Sequence, residues 1–213
     1  AGCPPFVLTS LAPDSDYDIY LRKTCGPGRF SGNSCPLGIR TACLPPGPSA
    51  VEEFDQAGNS CSPLCGDTCS WEGIWKNDAQ GTFDWILYSG KTPTQGTGPS
   101  AGVSGAGKYV YLEASGNQCQ GEAILSSGCF QLNKRGSDAC HFSFYYHMWG
   151  PNTGSLKLEV SQDGVRWDSL WQQSGDQGDS WHKAYLSLSP YPDGATLQFR
   201  FTGKKGSGPL GDI

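Results

Sequence analysis

The chain has 213 residues, a formal net charge of −5, 30 glycines and 15 prolines, and aromatic residues make up 12% of it. Glycine and proline disfavour helices, whereas aromatic side chains favour strands and fill cores. This composition therefore predicts an all-β protein and excludes a disordered chain. The acidic balance, without a basic stripe, argues against nucleic-acid binding, and no run of about 18 apolar residues is present to span a bilayer.

The first 43 residues predict a β-hairpin that is too small to close a core of its own. Tyr17, Ile19 and Leu21 alternate with more polar neighbours, which is the period of a half-buried strand. A loop rich in glycine and serine follows, and residues 36–43 predict a returning strand. The proline-rich residues 44–50 predict a stiff linker.

Several positions of this hairpin form a recognisable pattern. Leu11, Pro13 and Tyr17 precede the strand residues 20–22, and Thr41 stands at the exit of the second strand. This pattern resembles the last two strands of a fibronectin type III domain. The earlier strands of such a domain are missing, so residues 1–43 are expected to be a partial fibronectin III-like β-hairpin.

Residues 51–213 predict a second and larger all-β domain. Strand candidates separated by glycine-rich turns occur at residues 82–87, 108–114, 122–125, 141–148, 155–160, 183–188 and 196–202. Asp163-Gly164 is a strong two-residue hairpin signal, and no segment has the periodicity of an amphipathic helix. Many short strands with such turns indicate an antiparallel jelly-roll β-sandwich.

The cysteines indicate an oxidising, extracellular compartment, because so many thiols would be a liability in a reducing one. The ten are Cys3, Cys25, Cys35, Cys43, Cys61, Cys65, Cys69, Cys119, Cys129 and Cys140. Cys61, Cys65 and Cys69 stand four residues apart, which also suits a metal cluster, but structural zinc sites prefer paired short spacings. Disulfides are therefore expected, with Cys61–Cys69 or Cys61–Cys65, and Cys129–Cys140, as the sequence-local pairs.

A series of motifs runs along the larger domain. They include Glu53-Phe54-Asp55, Cys69-Ser70-Trp71, Phe83-Asp84-Trp85, residues 107–115, residues 140–150, Leu170-Trp171, Trp181 and Gly211-Asp212-Ile213. In this order they resemble a MAM domain, the extracellular jelly-roll module of meprins, neuropilins and receptor tyrosine phosphatases. The resemblance implies a non-catalytic adhesion module of a secreted or cell-surface multidomain protein, binding a protein ligand or a second copy of itself.

Two departures from the family pattern carry further expectations. The family's late cysteine is missing, so Cys140 is expected to pair with Cys129 or Cys119. A fibronectin-like segment followed by a MAM-like domain also resembles large secreted bacterial adhesins, which suggests a bacterial origin.

The resemblance also implies a structural calcium site. Asp55 and Asp212 match family positions where acidic residues converge, and Asp78 and Asp84 are close by in sequence. Hard cations prefer several carboxylate and carbonyl oxygens. The family's acidic residues after Gly-Pro are replaced here by residues 100–103, which weakens this expectation.

Catalysis is not expected. The three histidines, His141, His147 and His182, lie in no nucleophile elbow, zinc-protease motif or phosphate-binding loop. The chain is therefore predicted not to be an enzyme, although it could be an accessory domain of a secreted hydrolase.

Tryptophans suggest a second kind of binding. The tryptophans that match core positions of the family are Trp85, Trp171 and Trp181. Trp75, Trp149 and Trp167 match less well and are expected to be exposed, where such rings stack on sugars. A carbohydrate-binding module that uses exposed tryptophans or tyrosines is therefore the alternative function.

Overall fold

The computed structural model describes residues 8–12, 15–41, 50–62, 64, 68–116, 120–134 and 140–213. The chain divides into two compact units, Ala1–Pro45 and Pro46–Ile213. Every regular element of the described residues is a β-strand, and all the strand pairs are antiparallel, which confirms the predicted all-β fold. The linker predicted at residues 44–50 lies outside the described residues, except for residue 50.

The first unit contains two short hairpins. Its strands are β1 (Asp16–Ile19), β2 (Thr24–Gly26), β3 (Arg29–Phe30) and β4 (Leu37–Arg40). β1 pairs with β4, and β2 pairs with β3. The Tyr17 hydroxyl accepts a hydrogen bond from the Ala12 amide at 2.8 Å, and Thr41 Oγ1 accepts one from the Ser15 amide at 2.9 Å. The predicted hairpin is present, but β1 ends before Leu21, which is therefore exposed rather than half-buried.

The second unit is built on a five-stranded sheet with the order β11-β10-β13-β8-β5. Its strands are β5 (Trp75–Asn77), β8 (Glu122–Gln131), β10 (Ser155–Ser161), β11 (Asp168–Ser174) and β13 (Thr196–Lys204). The Asp163-Gly164 turn joins β10 to β11 as predicted. Asp163 Oδ1 accepts hydrogen bonds from the amides of Val165 and Arg166, and Gly164 has a φ of 71°, which favours glycine.

Two two-stranded ribbons complete the second unit. One pairs β6 (Ile86–Ser89) with β7 (Lys108–Tyr111), and the other pairs β9 (His141–Tyr146) with β12 (His182–Ser187). β6 begins four residues later than predicted. The residue before β6, Trp85, has its main-chain groups bonded to the side chain of Asn77 instead of to a strand. Asn77 Oδ1 accepts a hydrogen bond from the Trp85 amide, and Asn77 Nδ2 donates one to the Trp85 carbonyl.

The core lies between the inner face of the large sheet and the β9–β12 ribbon. Alternate residues of β9 point inward, so Phe142 stacks at 4.5 Å between ring centroids on Phe199, and Phe144 lies 4.8 Å from Phe201. Burying such large rings is the main favourable term in folding a β-sandwich. Of the tryptophans predicted in the core, Trp85 is buried and Trp171 is half-buried at its margin. Trp181 is half-buried against a separate cluster of Ile86, Tyr109 and Tyr111.

Candidate functional site

One of the predicted sequence-local disulfides is present in the structure and the other is not. Cys61 and Cys69 form a disulfide with a Cα–Cα distance of 5.8 Å, which confirms one of the two predicted alternatives and excludes Cys61–Cys65. Cys129 is disulfide-bonded but Cys140 has a free thiol, so the predicted pair Cys129–Cys140 is wrong, and so is a bond from Cys140 to Cys119.

Two further cysteines differ from the expectation that all ten pair. Cys25 and Cys35 are exposed free thiols, and Cys25 Sγ lies 3.7 Å from the Lys23 carbonyl oxygen, not against another sulfur. Cys3, Cys43, Cys65 and Cys119 lie outside the described residues.

A buried pair of carboxylates lies next to the end of β7. Glu113 and Asp212 are 2% and 0% exposed, although charged side chains are rarely so buried without an opposite charge. Asp212 Oδ1 accepts a hydrogen bond from the Ala114 amide at 2.9 Å. Glu113 Oε1 accepts hydrogen bonds from the amide and hydroxyl of Ser115, and its Oε2 accepts one from the Tyr111 hydroxyl. The pair is therefore held in place by neighbouring donors.

The electrostatics of this carboxylate pair are unfavourable when both groups are ionised. Burial raises the pKa of Asp212 to about 7, and the charge of Glu113 adds to this rise, while the hydrogen bond from Ala114 opposes it. Asp212 Oδ2 is buried, and the carboxyl group also interacts with two neighbouring side chains: a hydrogen bond from Thr92 lowers the Asp212 pKa, and one with Glu113 raises it. No lysine or arginine of the described residues forms an ion pair with either carboxylate. A cation would offset this repulsion.

The structure does not bring the other predicted calcium ligands to Asp212. Asp55 Oδ1 accepts a hydrogen bond from the amide of Lys108, at the opposite end of β7 from the Asp212 contact. Asp78 accepts hydrogen bonds from Ser126 and from the Gln80 amide, and Asp84 accepts one from the Cys69 amide. Each of the three instead fixes a loop or strand end. Across the described residues no group of three or more His, Cys, Asp or Glu side chains is arranged to hold a metal.

The three tryptophans predicted to bind sugars do not form an exposed row. Trp75 is only 7% exposed and packs against Phe201, with 5.3 Å between ring centroids, so its expected exposure is wrong. The cause is its place on the inner face of β5. Trp149 is half-buried, and the Trp167 ring is covered by the Arg200 guanidinium at 4.3 Å from its centroid.

The histidines have structural partners. His147 is buried, and its Nε2 lies 3.2 Å from Asp179 Oδ1. Burial lowers its pKa, and the Asp179 contact opposes this shift. His182 Nε2 lies 2.9 Å from the Gln177 carbonyl oxygen and 3.3 Å from Ser180 Oγ. A ring nitrogen that donates to a carbonyl carries its proton, so it cannot also accept the proton of Ser180 as a general base would.

The outward side of the β9–β12 ribbon carries exposed aromatic rings. We call it the tyrosine face, and it consists of His141, Ser143, Tyr145, Lys183, Tyr185 and Ser187. Tyr185 is 63% exposed and Tyr145 is 49% exposed. The rings of His141 and Tyr185 stack with centroids 4.5 Å apart, and Lys183 Nζ lies 5.3 Å from the Tyr145 centroid.

Two features of the site were not predicted from sequence. Glu113 was not assigned to the ion site, and no signal in the sequence links it to Asp212, 99 positions away. The tyrosine face had a signal, because residues 141–146 alternate in polarity and the strand period places His141, Ser143 and Tyr145 on one side.

The fold and these residues define an all-β, disulfide-containing domain with a buried carboxylate pair at a strand end. The family model of the MAM domain, meprin/A5/mu, matches residues 53–213. The chain therefore belongs to the MAM domain family. Because this match covers most of the second unit, the predicted family resemblance is confirmed.

Relatives extend the comparison to whole proteins. The chain is 34% identical over 154 residues to MAM domain-containing glycosylphosphatidylinositol anchor protein 2 of Mus musculus, covering 66% of this chain and 16% of that protein. It is 33% identical over 223 residues to MAM domain-containing glycosylphosphatidylinositol anchor protein 1 of Rattus norvegicus. This match covers 98% of this chain and 21% of that protein. Thyroid hormone-induced protein B of Xenopus laevis is 34% identical over 121 residues, covering 55% and 17%.

These coverages fix the scale of the comparison. The chain spans about one fifth or less of the length of these curated relatives, and the longer matches include the first unit. The relatives quoted are vertebrate proteins, so the expected bacterial origin finds no support.

Proposed function

We propose that this chain is a non-catalytic adhesion module of a multidomain cell-surface protein, and that its MAM domain binds another protein or a second copy of itself. The observation that carries the proposal is the MAM match over residues 53–213 in a chain that covers only part of its relatives. The names of two of these relatives describe glycosylphosphatidylinositol anchor proteins, which supports an extracellular, cell-surface location. The Cys61–Cys69 disulfide supports the same compartment.

The chemistry of the described residues supports a binding role over a catalytic one. His182 is bonded to a carbonyl rather than poised against a nucleophile, and His147 is buried beside Asp179. The remaining alternative, an accessory domain of a secreted hydrolase, stays a prediction. Within the described residues no helix is long and apolar enough to cross a membrane.

The proposal includes a structural calcium ion at Glu113 and Asp212. Two buried carboxylates that form no ion pair with a lysine or arginine of the described residues fit a hard cation. Carbonyl oxygens and water would complete its coordination. The ion would supply charge neutralisation and no chemical step. Asp55, Asp78 and Asp84 take no part, because each is bonded to a different loop or strand end.

For the first unit we retain the partial fibronectin type III-like assignment. The Tyr17 hydroxyl and Thr41 Oγ1 both bond to the main chain around residues 12–15, so they tie the entry of the hairpin to its exit. One relative matches 98% of the chain, which supports the proposal that the first unit and the MAM domain occur together in such proteins.

A bead assay tests the adhesion proposal. Beads coated with the chain are mixed with each other and with cultured cells, and aggregation is counted in calcium and in chelator. We expect bead–bead or bead–cell aggregation that excess soluble chain inhibits. Beads coated with heat-unfolded chain are the control. If folded and unfolded chains give the same counts in both arms, the proposal fails.

A further inference from the structure

We propose that the tyrosine face binds an anionic saccharide, that is, a pyranose carrying a carboxylate or a sulfate group. This inference goes beyond the adhesion function and does not depend on it. The sequence predicts exposed tryptophans or tyrosines as sugar platforms, with Trp75, Trp149 and Trp167 as the named candidates. Trp75 is buried, and Trp167 is only half-buried with Arg200 over its ring, whereas Tyr145 stays exposed beside Lys183. The tyrosine face is where exposed rings lie together on one strand pair.

The strand register sets the shape of the tyrosine face. Tyr145 lies opposite Lys183, and Ser143 lies opposite Tyr185. Ser143 is small and stands between two larger side chains on its own strand. A strand advances about 3.3 Å per residue, so the Cα atoms of His141 and Tyr145 are roughly 13 Å apart. Because Ser143 has the smallest side chain between these rings, we expect a notch there, with a serine floor between two aromatic walls.

The walls of the notch suit a sugar ring. On one side stands the Tyr185 ring, which is braced by its stack on His141 at 4.5 Å. On the other side stands Tyr145. Tyrosine presents an apolar ring face to the C–H groups of a pyranose and a hydroxyl that bonds to its polar edge. A ring held by a neighbour loses less side-chain entropy on binding than a free one.

The charges select an anionic sugar. Among the six positions of the tyrosine face none is acidic, although the chain has a net charge of −5. Lys183 forms no ion pair with a carboxylate of the described residues, and its ammonium group stays over the Tyr145 ring at 5.3 Å. Lys134 Nζ donates a hydrogen bond to the Ser189 carbonyl, two residues beyond Ser187, but the Asp193 carboxylate accepts a hydrogen bond from the Lys134 amide, so Lys183 is the cation that the proposal relies on. A carboxylate or sulfate would pair with Lys183 as a charge-assisted contact.

Calorimetric titration of the full chain tests the inference. The probes are a hyaluronan hexasaccharide, which has carboxylates only, a heparin hexasaccharide, which has both anions, and the neutral cellohexaose. We expect saturable binding of at least one anionic probe at millimolar concentration or tighter. Cellohexaose should bind about tenfold more weakly. Comparison of the two anionic probes separates a carboxylate preference from a sulfate preference.

Variants link any binding to the tyrosine face. Tyr185→Ala and Tyr145→Ala should each weaken binding about tenfold, and Lys183→Gln should remove the preference over cellohexaose. Tyr20→Ala, which removes an exposed tyrosine of the first unit, is the matched control and should change nothing. Melting curves confirm that each variant is folded. The inference is overturned if neither anionic probe saturates, or if Tyr185→Ala binds as well as the parent. Neither result would bear on the bead–bead arm of the bead assay, which contains no saccharide.

Discussion

The amide of Ala114 donates a hydrogen bond to Asp212 Oδ1 at 2.9 Å across 98 positions of the sequence, and this contact places Asp212 beside the buried Glu113. Two main-chain hydrogen bonds between Leu112 and Ile213 hold the same two segments together. The main-chain pairing therefore brings two carboxyl groups together in a buried place, where the raised pKa of Asp212 shows that ionising both is costly. That cost is understandable if a cation links the segments.

Calcium should stabilise the second unit through this pair. At 100 times its dissociation constant, a ligand of the folded state adds about 2.7 kcal/mol to the free energy of unfolding. Asp212→Asn should abolish the calcium effect. It should also leave the chain at least as stable as the parent in chelator, because it removes the repulsion with Glu113. Melting curves in millimolar calcium and in chelator check both points.

A control variant separates this effect from ordinary loss of structure. Asp84→Asn should lower the melting temperature equally in calcium and in chelator, because Asp84 bonds to the Cys69 amide and not to the ion. Identical melting curves for the parent in calcium and in chelator, with no bound metal by elemental analysis, would show that Glu113 and Asp212 hold no calcium ion.

Truncation of Trp85 should be severe. Its side chain is buried in the main core, and large-to-small changes of buried tryptophan cost about 3–5 kcal/mol in the free energy of unfolding. Trp181→Ala should cost less, because Trp181 is only half-buried and its indole donates one hydrogen bond to the Ala101 carbonyl. Urea unfolding measures both. Equal costs for the two variants would mean that the half-buried placement of Trp181 against the Ile86, Tyr109 and Tyr111 cluster is wrong.

Loss of the Cys61–Cys69 disulfide should lower the free energy of unfolding by less than truncation of Trp85 does, but by a measurable amount. The bridge closes a loop with a sequence separation of 8, for which the chain-entropy relation gives about 2.5 kcal/mol. The double variant Cys61→Ser, Cys69→Ser should lose about this much, whereas Cys140→Ser, which removes a free thiol, should lose far less. Mass spectrometry after thiol labelling should mark Cys140 and leave Cys61 and Cys69 unmarked. Labelling of Cys61 in the native chain would contradict the pairing.

His147 should make the free energy of unfolding decrease as the pH falls. Burial lowers its pKa in the folded chain below the unfolded value of about 6.5, so the unfolded chain binds the proton more readily. The contribution of neutral His147 to the free energy of unfolding is complete above the unfolded pKa, and it is lost as the pH falls from there towards the folded pKa. His147→Gln should therefore lose less stability than the parent between about pH 7.5 and 5.5 in urea unfolding. Parallel losses in the two proteins would show that His147 does not titrate in this way.

The sequence predicted local features well and long-range geometry less well. The Asp163-Gly164 hairpin and the strand predicted at residues 108–114, which ends at Tyr111 in the structure, follow from turn chemistry and alternation, which are properties of neighbouring residues. β5 was missed because three residues are too short for a period to show. The pairing of Asp212 with Glu113, instead of Asp55, depends on which strand ends meet, and no local pattern encodes that.

A cell-surface binding isotherm shows whether this MAM domain binds a partner on cells. A fluorescent tetramer of the chain is titrated by flow cytometry onto parental cells and onto cells that display the chain. An interaction module predicts saturable binding to at least one of the two cell types, with competition by excess untagged chain and loss after heat unfolding. Binding that never saturates, or that equals the heat-unfolded tetramer on both cell types, would contradict the assignment of this MAM domain as an adhesion module.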